Sequence, residues 1–223
     1  NKDYQPGALN GTTYYRRIVF SDDCIDESDS IMISVLPNIV NNVIENVLPV
    51  FTCYNTNPDE LLGSLPDGGN GSFNYQWQDS ISGGAWQNAN GDSISQNYNS
   101  GVLTDTTFFR RVVTSSACID YSDPAKVKIW DLPVASIASI EDTICSEQDV
   151  ILEFSVTDIG KFPMNLTYNN GVNDFAETVN TAGIYNTTVN PVTVEHDSTY
   201  LYTIVNIIDD NGCIATSKDG LTT

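Results

Sequence analysis

An internal repeat of one sequence pattern, cysteines spaced to match it, and strand-like alternation without helical periodicity predict an all-β fold. The expected architecture is a series of tandem immunoglobulin-like antiparallel β-sandwich domains, each with one disulfide. The repeat is clearest at Gly101-Val-Leu-Thr-Asp-Thr-Thr-Phe-Phe-Arg-Arg-Val-Val-Thr-Ser-Ser-Ala-Cys-Ile-Asp-Tyr-Ser-Asp123. Ninety-four positions earlier the chain reads Gly7-Ala-Leu-Asn-Gly-Thr-Thr-Tyr-Tyr-Arg-Arg-Ile-Val-Phe-Ser-Asp-Asp-Cys-Ile-Asp-Glu-Ser-Asp29. A looser copy runs from Asp197-Ser-Thr-Tyr-Leu-Tyr-Thr-Ile-Val205 to Cys213. A period of this size exceeds a solenoid coil and suits a sandwich of about 100 residues. The expected organisation is the C-terminal part of a truncated repeat over residues 1–43, a complete repeat over 44–133, and a sister repeat over 134–223.

The elements follow in order. Thr12 to Ser21 is rich in β-branched and aromatic residues and Ser30 to Leu36 alternates loosely, so both read as closing strands of the first repeat. The apolar stretch Ile39 to Val50 overlaps a linker and could open the next repeat. Leu61 to Leu65 reads as a short strand between turn-rich segments. Phe73 to Gln78 alternates, with Phe73, Tyr75 and Trp77 on one face and Asn74, Gln76 and Gln78 on the other, as in a half-buried strand. Gly83-Gly84 turns the chain into Trp86, the repeated stretch follows, and Lys126 to Trp130 closes the domain. Leu132-Pro133 mirrors Leu36-Pro37. In the last repeat, Val150 to Val156 and Met164 to Tyr168 are strands, with turns at Asn169-Asn-Gly171 and Asp210-Asn-Gly212.

Each repeat carries an early and a late cysteine: Cys53 with Cys118, and Cys145 with Cys213. These spacings predict the bridges Cys53–Cys118 and Cys145–Cys213, with Cys24 paired outside residues 1–223. Such staples suit small domains in an oxidising, extracytoplasmic compartment. With no CxxC pair and one histidine, thiolate metal binding is the weaker alternative.

The charge balance narrows function. Asp and Glu number 29 against 9 Lys and Arg, a net charge of −20, which opposes nucleic acid and anionic lipid as partners. No apolar run approaches the ~18 residues of a membrane span. No basic-then-apolar leader opens the sequence, so an export signal is expected outside it. An enzyme is disfavoured, because the sole histidine, His196, sits beside Asp197 where the neighbouring repeat has no counterpart. No cofactor is expected. Calcium is the alternative at the acidic clusters Asp22, Asp23, Asp26, Glu27, Asp29 and Asp209-Asp210, although neither reproduces an EF-hand spacing. Arg16-Arg17 and Arg110-Arg111 should each place one guanidinium on either side of a strand, the stems covering aromatic rings and the heads meeting carboxylates. Trp77 is expected in the core against the Cys53–Cys118 bridge. Trp86 is the candidate for ligand stacking, and exposure of Trp86 or Tyr98 would support a binding module. Asn10, Asn70, Asn165 and Asn186 match the N-x-Ser/Thr pattern, a weak signal in an Asn-rich chain.

The set Tyr75-Gln-Trp-Gln78, Gly84-Ala-Trp86, Tyr98 to Val113 and Cys118 resembles the immunoglobulin-like repeats of giant secreted surface proteins of Bacteroidota. Tyr168-Asn-Asn-Gly171, Val179-Asn-Thr-Ala-Gly-Ile-Tyr185 and Asp210-Asn-Gly-Cys213 are similar to a sister repeat of the same proteins. The resemblance implies an SprB-like gliding-motility adhesin, exported by type IX secretion and displayed on the exterior of the outer membrane. It also implies O-glycosylation at Asp-Ser/Thr-apolar/Thr triplets: Ser30, Ser80, Ser93, Thr106, Thr143 and Ser198. The implied role is a structural spacer in adhesion or gliding. Partners would be neighbouring repeats, with surface polysaccharide or outer-membrane motility and secretion components as further candidates. A carbohydrate- or protein-binding module, or an accessory region of a secreted enzyme, are the alternatives.

Overall fold

The computed structural model describes residues 2–45, 50–141, 143–145, 147–191 and 199–216. Every regular element among them is a strand, and each strand pair of assigned register is antiparallel. The chain forms two compact units: Asn1–Val50 with Pro58–Gly101 and Thr106–Val127, and Phe51–Asn57 with Val102–Asp105 and Lys128–Thr223.

The first unit opens with two small hairpin-like sheets. β1 (Thr13–Tyr15) pairs with β4 (Ile31–Ile33), and β2 (Ile18–Ser21) pairs with β3 (Cys24–Glu27). The expected single strand over Thr12 to Ser21 is thus two strands separated at Arg16-Arg17. Its main sheet follows. β8 (Thr107–Ser115) lies between β6 (Asn74–Ile81) and β10 (Ala125–Trp130), with β7 (Gln87–Asn88) outside β6 and β9 (Cys118–Tyr121) on β8. β8 shows why this sequence makes a central strand. Phe109, Arg111, Val113 and Ser115 alternate with Phe108, Arg110 and Thr114, and the first set is buried. The layer against this face is held by isolated bridges, Val40↔Asp67, Ile44↔Gly63 and Leu61↔Tyr98. The expected Leu61 to Leu65 strand is therefore a pair of bridges, with Pro66 and Gly68-Gly69 ending it. Ile44, Leu61, Trp77, Tyr98, Phe109, Val113 and Val127 form the core, all nearly inaccessible.

The second unit is a two-sheet sandwich. One sheet orders β11 (Ala135–Ser139), β12 (Val150–Val156) and β15 (Gly183–Val189); the other orders β14 (Asp174–Val179), β13 (Met164–Asn169), β16 (Thr203–Ile208) and β17 (Ile214–Thr216). Leu152, Phe154 and Val156 of the first sheet meet Met164, Leu166, Tyr168 and Ile207 of the second in one continuous core. β5 (Val50–Cys53) lies beside the end of β10 in this unit, where Phe51 stacks on Trp130 and the Tyr54 amide donates to the Trp130 carbonyl at 2.7 Å.

That placement of β5 decides the cystine. Cys53 bonds to Cys213, with Cα atoms 5.5 Å apart, while Cys24, Cys118 and Cys145 are free thiols. The expected pairs Cys53–Cys118 and Cys145–Cys213 are corrected accordingly. Early and late cysteines were matched by order within a repeat, but the strand carrying Cys53 belongs with the second unit. There the Asp209–Cys213 turn presents the fully buried Cys213. A cystine supports an oxidising compartment. No described helix is long and apolar enough to cross a membrane.

Candidate functional site

The two faces of β8 carry the arginine pair in opposite roles. Arg110 points to the outer face and Arg111 into the core, as alternation requires.

On the outer face, the Arg110 guanidinium lies 4.4 Å from the Trp86 ring centroid and 4.8 Å from that of Tyr121, so the cation contacts both rings. Its Nε donates to Gln78 Oε1 at 2.9 Å, which fixes the head. Tyr121 is half exposed and Trp86 partly so. Strand pairing puts the group together: β6 supplies Gln78, β8 Arg110, β9 Tyr121, and the turn after Gly83 delivers Trp86. Chemically it is an aromatic–cationic patch on an acidic protein. Trp86 is therefore not a bare stacking platform, because one face is already occupied by the arginine.

On the inner face, Arg111 is fully inaccessible and lies 5.1 Å from the Tyr75 ring centroid. Its Nε donates to Asn42 Oδ1 at 2.9 Å, Nη1 to the Gln96 carbonyl at 3.1 Å, and Nη2 to the Ser64 carbonyl at 2.8 Å. Asn42 Nδ2 in turn reaches the carbonyls of Arg111 and Asp120 and the Asp120 carboxylate. The expected carboxylate partner is replaced by neutral oxygens, each presented by a segment that packs on the sheet. Burial lowers the Arg111 pKa, against raising contributions from Tyr75 and Glu45. Gly63 is part of the cradle: a Cβ there would overlap Arg111 Nη1 and the Gln96 carbonyl oxygen. Sequence reasoning missed this cradle. Its one local signal is a glycine and a serine adjacent at positions 63 and 64, too common to be diagnostic.

The remaining predicted residues are scattered. Trp77 is fully buried, as expected, but faces no cystine: its Nε1 donates to the Ser95 carbonyl at 3.0 Å and its ring stacks on Tyr98. Tyr98 is buried, so it lends no support to a binding role: its hydroxyl donates to the Asn90 carbonyl at 2.9 Å and its ring fills the core. Of the glycosylation candidates, Ser30 and Thr143 are exposed and Thr106 is partly so. Ser80 and Ser93 are buried, Ser80 donating to the Gly84 carbonyl and Ser93 accepting from Gln76, which leaves a glycan no room on the folded unit. Ser198 and His196 lie outside the described residues. In the acidic clusters, Glu27 pairs with Arg16 at 2.6 Å and Asp210 with Lys161 at 2.7 Å. The Asp209 carboxylate is consumed by the amides of Lys161, Asn211 and Cys213. Among the described residues no three His, Cys, Asp or Glu side chains converge as a metal site. A cavity of about 70 Å³ opens between Phe154, Leu166, Val179 and Tyr185 in the second unit, well below the ~300 Å³ at which small-molecule sites begin.

Residues 49–131 match a family model described as a domain of unknown function (DUF8696). The crystal structure of the FN1–FN3 domains of chicken CNTN1 is similar at 13% identity and a TM-score of 0.36, over 94% of this chain and 74% of that one. No curated protein matches.

Proposed function

We propose that this chain is a spacer segment of an extracellular tandem-repeat protein, with repeats spanning 44–133 and 134–223 after the end of another at 1–43. The observation that carries the reading is the repeat itself. Strand pairing over residues 13–33 recurs, at an offset of ninety-four, over residues 107–127. A cystine, an acidic net charge of −20 and all-β units suit a mutually repelling, mechanically continuous string outside the reducing cytosol. The resemblance to surface-protein repeats of Bacteroidota extends this to a filament of the gliding-adhesin type, displayed on the outer membrane through type IX secretion, with glycans on Ser30, Thr106 or Thr143. Neighbouring repeats are its first partners. Immunogold labelling of intact source cells with antibody to this segment tests the reading: gold along thin surface fibres supports it, whereas gold confined to spent medium removes it. Intact mass tests the glycans, since a mass equal to the bare polypeptide excludes them.

A second reading, a binding module for surface polysaccharide, draws on the Trp86–Arg110–Tyr121 patch. Undiminished adhesion by a Trp86→Ala filament would exclude it.

A further inference from the structure

Charge is not evenly spread over the main sheet of the first unit. Strand pairing puts Gln78 opposite both Arg110 and Asn88, Tyr121 opposite Val112, and Lys126 opposite Phe108, all on the face away from the core. No outward position of β6, β7, β8 or β9 holds any of the chain's 29 Asp and Glu. Arg110 and Lys126, by contrast, are two of its 9 Lys and Arg. Neither cation joins an ion pair among the described residues. Each lies over aromatic rings instead: Arg110 over Trp86 and Tyr121, and the exposed Lys126 with its Nζ 5.4 Å from the Phe108 centroid. Lys126 is the diagonal neighbour of Arg110 across β10 and β8, which sets the two residues about 7–8 Å apart.

Arg110 is pre-set for a planar anion. Gln78 Oε1 takes its Nε at 2.9 Å, and Gln78 Nε2 in turn donates to Asn88 Oδ1 at 3.2 Å, so the guanidinium is held from one side. Its two Nη groups have no hydrogen-bond partner among the described residues, and they form the fork that fits a carboxylate. Asn88 is exposed and keeps its Nδ2 for a hydroxyl, and Tyr121 is 51% accessible. Fork, amide and ring match the three surfaces of a sugar acid: carboxylate, hydroxyls and an apolar C–H face. We propose that this face binds a carboxylated polysaccharide. One carboxylate sits on Arg110 Nη1 and Nη2, the C–H face of that sugar lies against the exposed part of Tyr121, and Lys126 Nζ meets a second carboxylate. An acidic peptide fits less well. β8 spends its backbone groups on β6 at one edge and on β9 and β10 at the other, so no peptide strand can add beside Arg110. This rests on the polysaccharide-binding reading above and adds the charge of the sugar.

Titration calorimetry of residues 1–223 with polygalacturonate tests this, with its methyl ester, dextran and poly-glutamate as the comparison polymers. Polygalacturonate should bind, about tenfold or more tighter than its uncharged methyl ester, and should weaken as salt rises. Arg110→Gln should weaken binding by about tenfold or more, and Arg110→Lys nearly as much, because an ammonium offers no fork. Lys126→Gln should weaken it by about threefold at an unchanged melting temperature, since its head group is exposed. That variant keeps the test decisive where an Arg110 variant fails to fold. No binding of polygalacturonate overturns the proposal, as does binding that the Arg110 and Lys126 variants both leave unchanged. Equal affinity for poly-glutamate also overturns it, because the occupant is then an acidic peptide. Dextran bound as tightly as polygalacturonate, and lost in Trp86→Ala, overturns the carboxylate while the polysaccharide reading stands; failure of every glycan removes both.

Discussion

Arg111 makes a quantitative prediction, because its head group is fully buried without a hydrogen-bonded carboxylate. Replacing it with Met keeps most of the side-chain volume but withdraws the donors that serve Asn42 Oδ1, the Gln96 carbonyl and the Ser64 carbonyl. A buried acceptor stripped of its donor costs about 1–3 kcal/mol, and the substitution strips all of these acceptors at once. Relief of the guanidinium's own desolvation offsets part of this, so the expected net loss in Arg111→Met is about 3 kcal/mol. For a unit of this size that lowers the melting temperature by about 12–24 °C. Arg111→Lys should fall between, since an ammonium cannot span three diverging acceptors from one planar head. Calorimetry with near-ultraviolet dichroism reads the shift. The matched control is Arg17→Met, the same change in the same motif at an exposed position between β1 and β2, expected within about 0.5 kcal/mol of wild type. If Arg111→Met melts at or above the wild-type temperature, the cradle does not stabilise the unit and the reasoning fails.

Two further outcomes follow from the same geometry. Non-reducing peptide mapping should recover Cys53 joined to Cys213, and loss of that bond should destabilise the second unit by up to about 5 kcal/mol for its separation of 160 residues; a Cys53–Cys118 peptide would refute the assignment. Burial, followed by the Asp79 charge, raises the Tyr98 phenol above its ordinary value, so the folded state holds this proton more tightly than the unfolded one. The resulting stability is complete below pH ~10 and is lost as pH climbs through the raised folded value. Tyr98→Phe should cost about 1 kcal/mol at neutral pH, through the lost bond to Asn90, yet lose stability less steeply in base. Parallel alkaline profiles for the two proteins would absolve Tyr98.

Strand identity was legible wherever alternation ran uninterrupted. Val150–Val156 and Lys126 to Trp130 match the observed strands closely, and the arginine pair divides between faces as period two demands. Legibility failed where the outcome depends on distant partners. Leu61 to Leu65 has strand-like residues, but its backbone meets neighbours only at isolated bridges. Tyr98 carries no local mark of burial; its ring is covered because Trp77 and Phe109 arrive from other strands. The cystine failed for a related reason. Order along the chain pairs Cys53 with Cys118, whereas the neighbours of β5 are the end of β10 and the Leu103 bridge of the second unit.

The two copies of the repeated stretch separate what is local from what is not. Thr-Thr-aromatic-aromatic-Arg-Arg closes onto the same partners in the same register at residues 12–17 and 106–111, so strand pairing is set within about thirty residues by pattern and turn chemistry. Burial is not set there. A face carrying Val113 and Val127 together with Arg111 is only partly apolar, and its central guanidinium is satisfied equally by water or by a matched set of oxygens. Leucine at that position would pack against any apolar surface. Arginine restricts the match to a cover that brings an aromatic ring and three oriented acceptors, which Asn42, Ser64 and Gln96 supply from three separate segments. The same side chain therefore discriminates between possible covers of this face, since a segment without these acceptors would leave a buried guanidinium unsatisfied.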